Sequence, residues 1–323
     1  MNRRDTLKMM ASLAASSAWA SPALSQQVAG DEIPLPELMA KVLPAMNSIP
    51  IEVSSLGSRL YLVTGPGGNV AVSTGPDGAV VVDSFVPLGA VGLIAAIRKR
   101  SEGPLTLIDT HWHLDHAGGN GAFADAGAKI VAHENTRKRL GSEQYMADYK
   151  IRTDPAPEAA LPVVTIGDEA TLYLNGEEIR LIHVAPAHTD GDVFLHFRKA
   201  NVLHAGDLFA KGAYPNIDSS SGGWIGGMVA AADRMLEVAD ASTRIIPGHG
   251  PMANPEDLRD FRDMLAQARA KVEPLFEAGK TVDEVAAARP LASLDARWGQ
   301  GVFKGTHFAR LVYSGLVMHR GKA

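Results

Sequence analysis

The stretch Thr110-His111-Trp112-His113-Leu114-Asp115-His116 holds three imidazoles and a carboxylate within six residues. In an extended segment side chains alternate, so His111 and His113 point the same way. Asp115 joins them if the segment stays extended, and a bend into the next loop turns His116. Such a cluster suits a borderline-soft divalent ion, zinc first. Three more donors recur downstream in one kind of setting. His188 lies in Pro186-Ala187-His188-Thr189-Asp190-Gly191-Asp192, Asp207 in Ala205-Gly206-Asp207-Leu208-Phe209, and His249 in Pro247-Gly248-His249-Gly250. Each follows an apolar run and sits at a glycine-marked turn. Seven donors exceed what one tetrahedral ion takes and fit two ions sharing a bridge. The chemistry this offers is hydrolysis by a metal-activated water, whose pKa falls from 15.7 to about 7 on coordination.

Positioning these side chains requires strands that end at one place. Leu105 to Ile108 reads as a buried strand leading into the histidine cluster, and Gly118-Gly119-Asn120-Gly121 as a tight connection after it. Short β-rich runs from Ile51 to Asp83, separated by Gly57-Ser58, Gly65-Pro66-Gly67-Gly68 and Gly75-Pro76-Asp77-Gly78, predict an antiparallel meander. Helices are expected over 89–100, 122–126, from His133 onward, and over 224–239, 255–279 and 307–319. A second β-rich block runs from Ala170 to His204, with Asn175-Gly176 as a hairpin turn. Strands then helices, twice over, predict a mixed α/β chain with two sheets packed face to face and helices outside. Tyr145 to Leu161, with its prolines, reads as a loop or cover over the site. The loop from Lys211 to Trp224 is the expected substrate wall, with Tyr214 and Trp224 as its candidate contacts.

The chain has no cysteine, so disulfides, thiolate ligands and a Cys nucleophile are excluded. The net charge of -5, without a basic block, gives no reason to expect nucleic acid. Asn2-Arg3-Arg4-Asp5-Thr6-Leu7-Lys8, an apolar stretch to Ala20, and Ala18-Trp19-Ala20 before Ser21 resemble a twin-arginine (Tat) export signal. Residues 1–20 are therefore expected to be removed, with the Tat machinery a partner in transit. The mature protein is expected to be periplasmic or secreted, without stable membrane insertion. Residues 21–50 read as an N-terminal extension and 51–323 as the functional domain.

The ordered set of motifs from Ile51 to Pro251 resembles the metallo-β-lactamase superfamily of binuclear hydrolases. The resemblance implies a four-layer αββα sandwich. It also implies a first metal site of His111, His113 and His188, a second of Asp115, His116 and His249, and Asp207 as the carboxylate bridging both. Asp115 and Asp207 are then the expected catalytic residues. Two zinc ions per chain are expected, with iron or manganese as other occupants that His/Asp donors accept. Several β-lactamases of the superfamily carry Cys or Ser where Asp207 falls here. The aspartate is more similar to hydroxyacylglutathione hydrolases, lactonases and related enzymes. The expected reaction is cleavage of an ester, thioester, lactone or amide bond of a small molecule. The alternatives are β-lactam hydrolysis, a single-iron thiol or persulfide dioxygenase, and a non-catalytic metal-binding accessory. His133, His183, His196 and His204 are expected to be packed or hydrogen-bonded strand residues. His307 is a candidate for supporting the site from behind, and Asp83 for orienting a ligand or capping a turn.

Overall fold

Along the strand Gly78–Val82, Ala79 and Val81 face one side and Val80 and Val82 the other, yet every residue is buried. A strand covered on both faces belongs to the inside of a layered fold. A computed structural model describes residues 34–321, so the proposed export signal lies outside the described residues. In chain order the elements are α1 (Leu35–Met46), β1 (Glu52–Gly57), β2 (Leu60–Thr64), β3 (Val70–Gly75), β4 (Gly78–Val82), α2 (Pro87–Arg98), β5 (Leu105–Ile108), α3 (Leu114–Ala117), α4 (Asn120–Asp125), β6 (Lys129–His133) and α5 (Glu134–Leu140). There follow β7 (Gln144–Met146), β8 (Ile151–Thr153), β9 (Val164–Ile166), β10 (Glu169–Leu174), β11 (Glu177–His183), β12 (Val193–Phe197) and β13 (Val202–His204). The chain continues with α6 (Ile225–Val238), β14 (Arg244–Ile246), α7 (Pro255–Glu277), α8 (Val282–Ala287), α9 (Asp295–Trp298) and α10 (Gly305–Arg320).

Two sheets form, of seven strands in the order β1-β2-β3-β4-β5-β6-β9 and of five in the order β10-β11-β12-β13-β14. The meander β1–β4 is antiparallel, whereas β4, β5, β6 and β9 run parallel, as do β13 and β14. Asn175 and Gly176 both have positive φ, 57° and 72°, and join β10 to β11 in the tight turn their types favour. Alternation then sorts the side chains into three apolar layers. Leu62, Val80, Val82 and Ile108 meet Leu181, Leu195, Phe197 and Ile246 between the sheets. Val72, Val81 and Leu107 pack outward on Leu93 and Ile97 of α2 and Phe123 of α4. Ile182, Phe194 and Leu203 pack outward on Met228 of α6, Phe261 of α7 and Phe308 of α10. The result is the four-layer αββα sandwich.

Two segments differ from expectation in form. Tyr145–Leu161 includes the two-stranded β7-β8 sheet rather than loop alone, because Gln144 to Met146 and Ile151 to Thr153 pair across a short turn. The stretch read as an N-terminal extension carries α1, whose Leu35, Leu38, Val42 and Met46 are buried in the largest apolar cluster. Among the described residues no helix is long and apolar enough to cross a membrane.

Candidate metal centre

The strand β5 delivers His111 and His113 to one end of the sandwich. There His113 adopts extended backbone as the N-cap of α3. The helix begins earlier than the extended reading assumed, so Asp115 leaves the side shared by His111 and His113 and joins His116. The second sheet supplies the rest. His188 comes from the loop between β11 and β12, Asp207 from the turn after β13, and His249 from the loop after β14. All seven are buried, and they form two groups: His111, His113, His188 and Asp207, and Asp115, His116 and His249.

Within the first group His188 Nε2 lies 3.2 Å from His111 Nε2, 2.9 Å from His113 Nδ1 and 3.6 Å from Asp207 Oδ2. In the second, His249 Nε2 lies 3.3 Å from His116 Nε2 and 3.2 Å from Asp115 Oδ2. Asp207 turns its other oxygen, Oδ1, to that second group, 3.1 Å from His116 Nε2 and 3.3 Å from His249 Nε2. A tetrahedral ion bound at roughly 2.0–2.1 Å sets its donors about 3.3 Å apart. The spacings are those of two coordination spheres sharing one carboxylate.

Protonation is decided behind the ligands. His116 Nδ1 meets Asp83 Oδ2 at 2.7 Å, His113 Nε2 meets Asp218 Oδ2 at 3.1 Å, and His188 Nδ1 meets the Asn216 carbonyl at 3.0 Å. Each acceptor takes an N–H, which leaves the opposite nitrogen with its lone pair. His111 is set at one remove. The Thr110 hydroxyl spends its single hydrogen on Asp83 Oδ2, at 2.9 Å, and so accepts from His111 Nδ1 at 3.0 Å. Once a cation takes the place of any proton on the inward nitrogen, four imidazole lone pairs converge in a buried space. Burial, reinforced by the neighbouring imidazoles, holds His111 well below the ordinary histidine range. Burial also brings His188 down to about 4, although Asp207 partly opposes it. His116 and His249 go the other way: burial opposes their charge, but Asp207 and Asp115 carry both above the usual value. Buried carboxylates that draw protons onto nearby imidazoles are the charge pattern a divalent cation replaces.

Backbone contacts allow no slack. A Cβ on Gly68 would stand 2.1 Å from His116 Cε1, and one on Gly248 would stand 2.1 Å from Asp207 Oδ1. Asn69 clasps the His249 loop by donating from Nδ2 to the Pro247 and Gly250 carbonyls, each at 2.8 Å. Its own carbonyl accepts from His204 Nε2 at 2.9 Å, so His204 braces the loop and is not a ligand. Asp192 accepts from the His188 and Thr189 amides, each at 2.8 Å, and folds the His188 loop. Of the two roles expected for Asp83, it takes that of orienting a ligand: it meets the His116 ring at 2.7 Å and, across the sheet, accepts the Thr110 amide at 2.8 Å. His133 stacks on His183 with centroids 3.7 Å apart and accepts from the Asn135 amide, capping α5. His307 lies in the first turn of α10, where its Nδ1 accepts from the Lys304 amide.

The centre opens into a cavity of about 360 Å³, in whose lining His113, Asp115 and Asp207 take part. The other walls come from α1, from Trp112 and Leu114, and from the segment 139–160, in line with its reading as a cover. Tyr214 and Trp224 do not line it. Tyr214 is buried, stacks on Phe308 and bonds Asp295 through its hydroxyl at 3.0 Å. Trp224 caps α6 and stacks on His319 at 3.6 Å. Both aromatic rings are consumed in packing the helices behind the second sheet. Of the expected wall loop, Asn216 alone reaches the cavity, while Asp218 stands behind His113.

Residues 63–272 match the family model of the metallo-beta-lactamase superfamily. The chain belongs to the metallo-beta-lactamase superfamily. It is a metallo-hydrolase of that superfamily, with two His/Asp groups suited to divalent metal. It is 23% identical over 209 residues to the acyl-coenzyme A thioesterase MBLAC2 of Bos taurus, covering 59% of this chain and 72% of that one. It is 22% identical to the metallo-beta-lactamase type 2 of Bacteroides fragilis, covering 50% and 59%. Among solved structures, a metallo-beta-lactamase from Pontibacter korlensis superposes with a TM-score of 0.56 at 19% identity, covering 67% of this chain and 99% of that one. The inverting sec-alkylsulfatase Pisa1 from Pseudomonas sp. gives 0.61 at 19% identity, covering 91% and 55%.

Proposed function

We propose that the protein is an exported dinuclear hydrolase that cleaves an ester, thioester, lactone or amide bond of a small molecule, with zinc as its metal. The observation that supports this most is the convergence of four imidazole lone pairs, each set by a partner on its remote nitrogen, around a carboxylate that faces both groups. His111, His113 and His188 would hold one ion, Asp115, His116 and His249 the other, and Asp207 both. When bound, the pair supplies an activated water and polarises the scissile carbonyl. The chain's own residues do the rest. Asp115 and Asp207 reach the cavity: Asp207, with an oxygen toward each group, would fix their spacing, and Asp115 would be the carboxylate placed to take a proton from the attacking water and return it to the leaving atom. Trp112, Leu114 and Met146 give the reacting end apolar walls. Two complete groups favour this reading over a single-iron dioxygenase, which needs only two histidines and one carboxylate.

The test is metal counting beside a panel of ester, lactone, thioester and β-lactam substrates. The expected outcome is two ions per chain, turnover of at least one carbonyl ester class, and loss of most metal and activity in His113→Ala and Asp207→Ala with the fold retained. Unchanged turnover in either variant would refute the assignment. One bound iron with oxygen consumption on a thiol would select the dioxygenase instead, and β-lactam turnover alone the lactamase. Export is checked by locating the full-length protein before and after replacing Arg3 and Arg4 by lysine.

A further inference from the structure

Among the described residues lining the cavity, Arg139 is the only Lys or Arg, and its charge is already used. Its guanidinium donates to both oxygens of Asp190, at 3.2 and 2.7 Å, and to Gln144 Oε1 at 3.0 Å. An anionic substrate body would find no unengaged cation there, and the carboxylates of Asp115, Asp154 and Asp207 would repel it. The apolar walls are Met39 and Leu43 of α1, Trp112, Leu114, Met146 of β7 and Ile151 of β8. Met39 and Leu43 are four residues apart and so share one face of α1, while Leu35, Leu38, Val42 and Met46 fix that helix in the core. The wall that α1 makes is therefore rigid. The volume of about 360 Å³ holds on the order of twelve heavy atoms, at roughly 30 Å³ for each water-sized group, of which the hydrolysed ester group and its first leaving-side atom take about four.

From this we infer that the cavity is a chain-binding pocket: it takes a linear apolar chain of about eight carbons attached to the hydrolysed bond, and α1 with β7 and β8 sets the length. The inference rests on the hydrolase reading above and narrows its substrate class. The shared chemistry is the alkyl chain, carried on either the acyl or the leaving side. Burial in such a pocket is worth about fourfold in binding per methylene.

The zinc-loaded full chain is assayed on acetyl, butyryl, hexanoyl and octanoyl thioesters, and in a second arm on ethyl to octyl acetates. A rise in kcat/KM of about sixteenfold per two carbons, ending near eight, is expected in one arm, which also tells which side carries the chain. Leu43→Trp is expected to lower the octanoyl-to-acetyl (or octyl-to-ethyl) ratio at least tenfold, and Leu43→Ala to move the optimum to longer chains. Ile151→Trp replaces the first variant if that one does not fold. Calorimetry with neutral 1-octanol and 1-butanol reads the pocket without chemistry: octanol should bind at least tenfold more tightly, and Leu43→Trp should abolish the difference. Turnover with flat profiles in both arms overturns the chain pocket and leaves the hydrolase standing. If neither these arms nor the lactones and β-lactams of the wider panel turn over, the hydrolase reading falls and the alcohols decide the pocket, equal affinities overturning it.

Discussion

Replacing Asp83 by Asn tests whether one buried carboxylate sets the protonation of both metal groups. Asp83 is fully buried and takes three hydrogen bonds: the Thr110 amide at 2.8 Å on Oδ1, and the Thr110 hydroxyl at 2.9 Å and His116 Nδ1 at 2.7 Å on Oδ2. Its φ of 68° is a conformation Asn tolerates, so the backbone survives the change. If the new carbonyl keeps the Thr110 amide, the NH₂ faces His116 Nδ1 and the Thr110 hydroxyl. Both contacts then reverse. His116 must offer a lone pair at Nδ1, which moves its proton to Nε2 and points it at the ligand position. Thr110 then accepts from that NH₂ and turns its hydrogen to His111 Nδ1, which moves the His111 proton to Nε2 as well. Removing such an outer partner typically costs 10–100-fold in metal affinity, about 1.4–2.7 kcal/mol at 1.36 kcal/mol per tenfold. The second group, in direct contact, should lose more than the first, which feels Asp83 through Thr110. The assay is titration of stripped protein with zinc against a chromophoric chelator, with circular dichroism to show the fold intact. Two sites both within twofold of the parent's affinity would show that Asp83 is structural and that the tautomer argument is wrong.

Two further changes act on the same centre by other means. Gly248→Ala puts a methyl 2.1 Å from Asp207 Oδ1, and Gly206 backbone atoms 2.6 Å away prevent retreat; activity should fall at least tenfold with loss of metal detected by elemental analysis, and unaltered metal content would contradict the shared carboxylate. Asp109 is fully buried and burial, with Asp83 adding to it, raises its carboxyl well above the ordinary value, although Asn120 donates to it at 2.8 Å. The native state thus holds a proton that the unfolded chain releases above about pH 3.9, so stability falls as pH rises from there toward the folded-state value. Asp109→Asn removes that slope, and urea unfolding of stripped protein should show the variant gaining on the parent between pH 5 and 8; a loss that grows with pH would reverse the sign.

The ligands were legible because each obeys one local rule, an apolar strand followed by a turn and a donor, and that rule survives folding. Their supports were not, because they are read only across the two sheets. Asp218 lies in a Ser-rich loop 105 residues from His113, and its carboxylate serves the imidazole only once that loop is folded behind it. Asn69 lies 178 residues from Pro247 and was ordinary strand sequence. The Gly65-Pro66-Gly67-Gly68 turn was visible as a turn, but not that His116 needs its missing side chain. Tyr214 and Trp224 went astray for a related reason. Large aromatic residues near a ligand in sequence serve a substrate wall or a core equally well, and here the helices α6, α7 and α10 required them. The segment 145–161 lines the cavity as its prolines and weak periodicity suggest, but its β7-β8 pairing is not legible in sequence, since three-residue strands leave little periodicity to detect.

The origin of the donors also explains why so much buried polarity is tolerated at one end of the sandwich. His111, His113, Asp115 and His116 follow β5 in the first sheet, while His188, Asp207 and His249 follow β11, β13 and β14 in the second. Neither group is completed by one sheet. Asn69, from the first sheet, already ties the loop of His249 in the second, but it is a neutral clasp of amide hydrogen bonds. The apolar layer between the sheets runs to Ile108 and Ile246 and gives way there to buried donors, with the Val193 amide on the Thr110 carbonyl at 2.8 Å as a further cross-link. Metal bound to donors from both sides would add to these links, so the affinity that positions the chemistry would also stabilise this end of the fold.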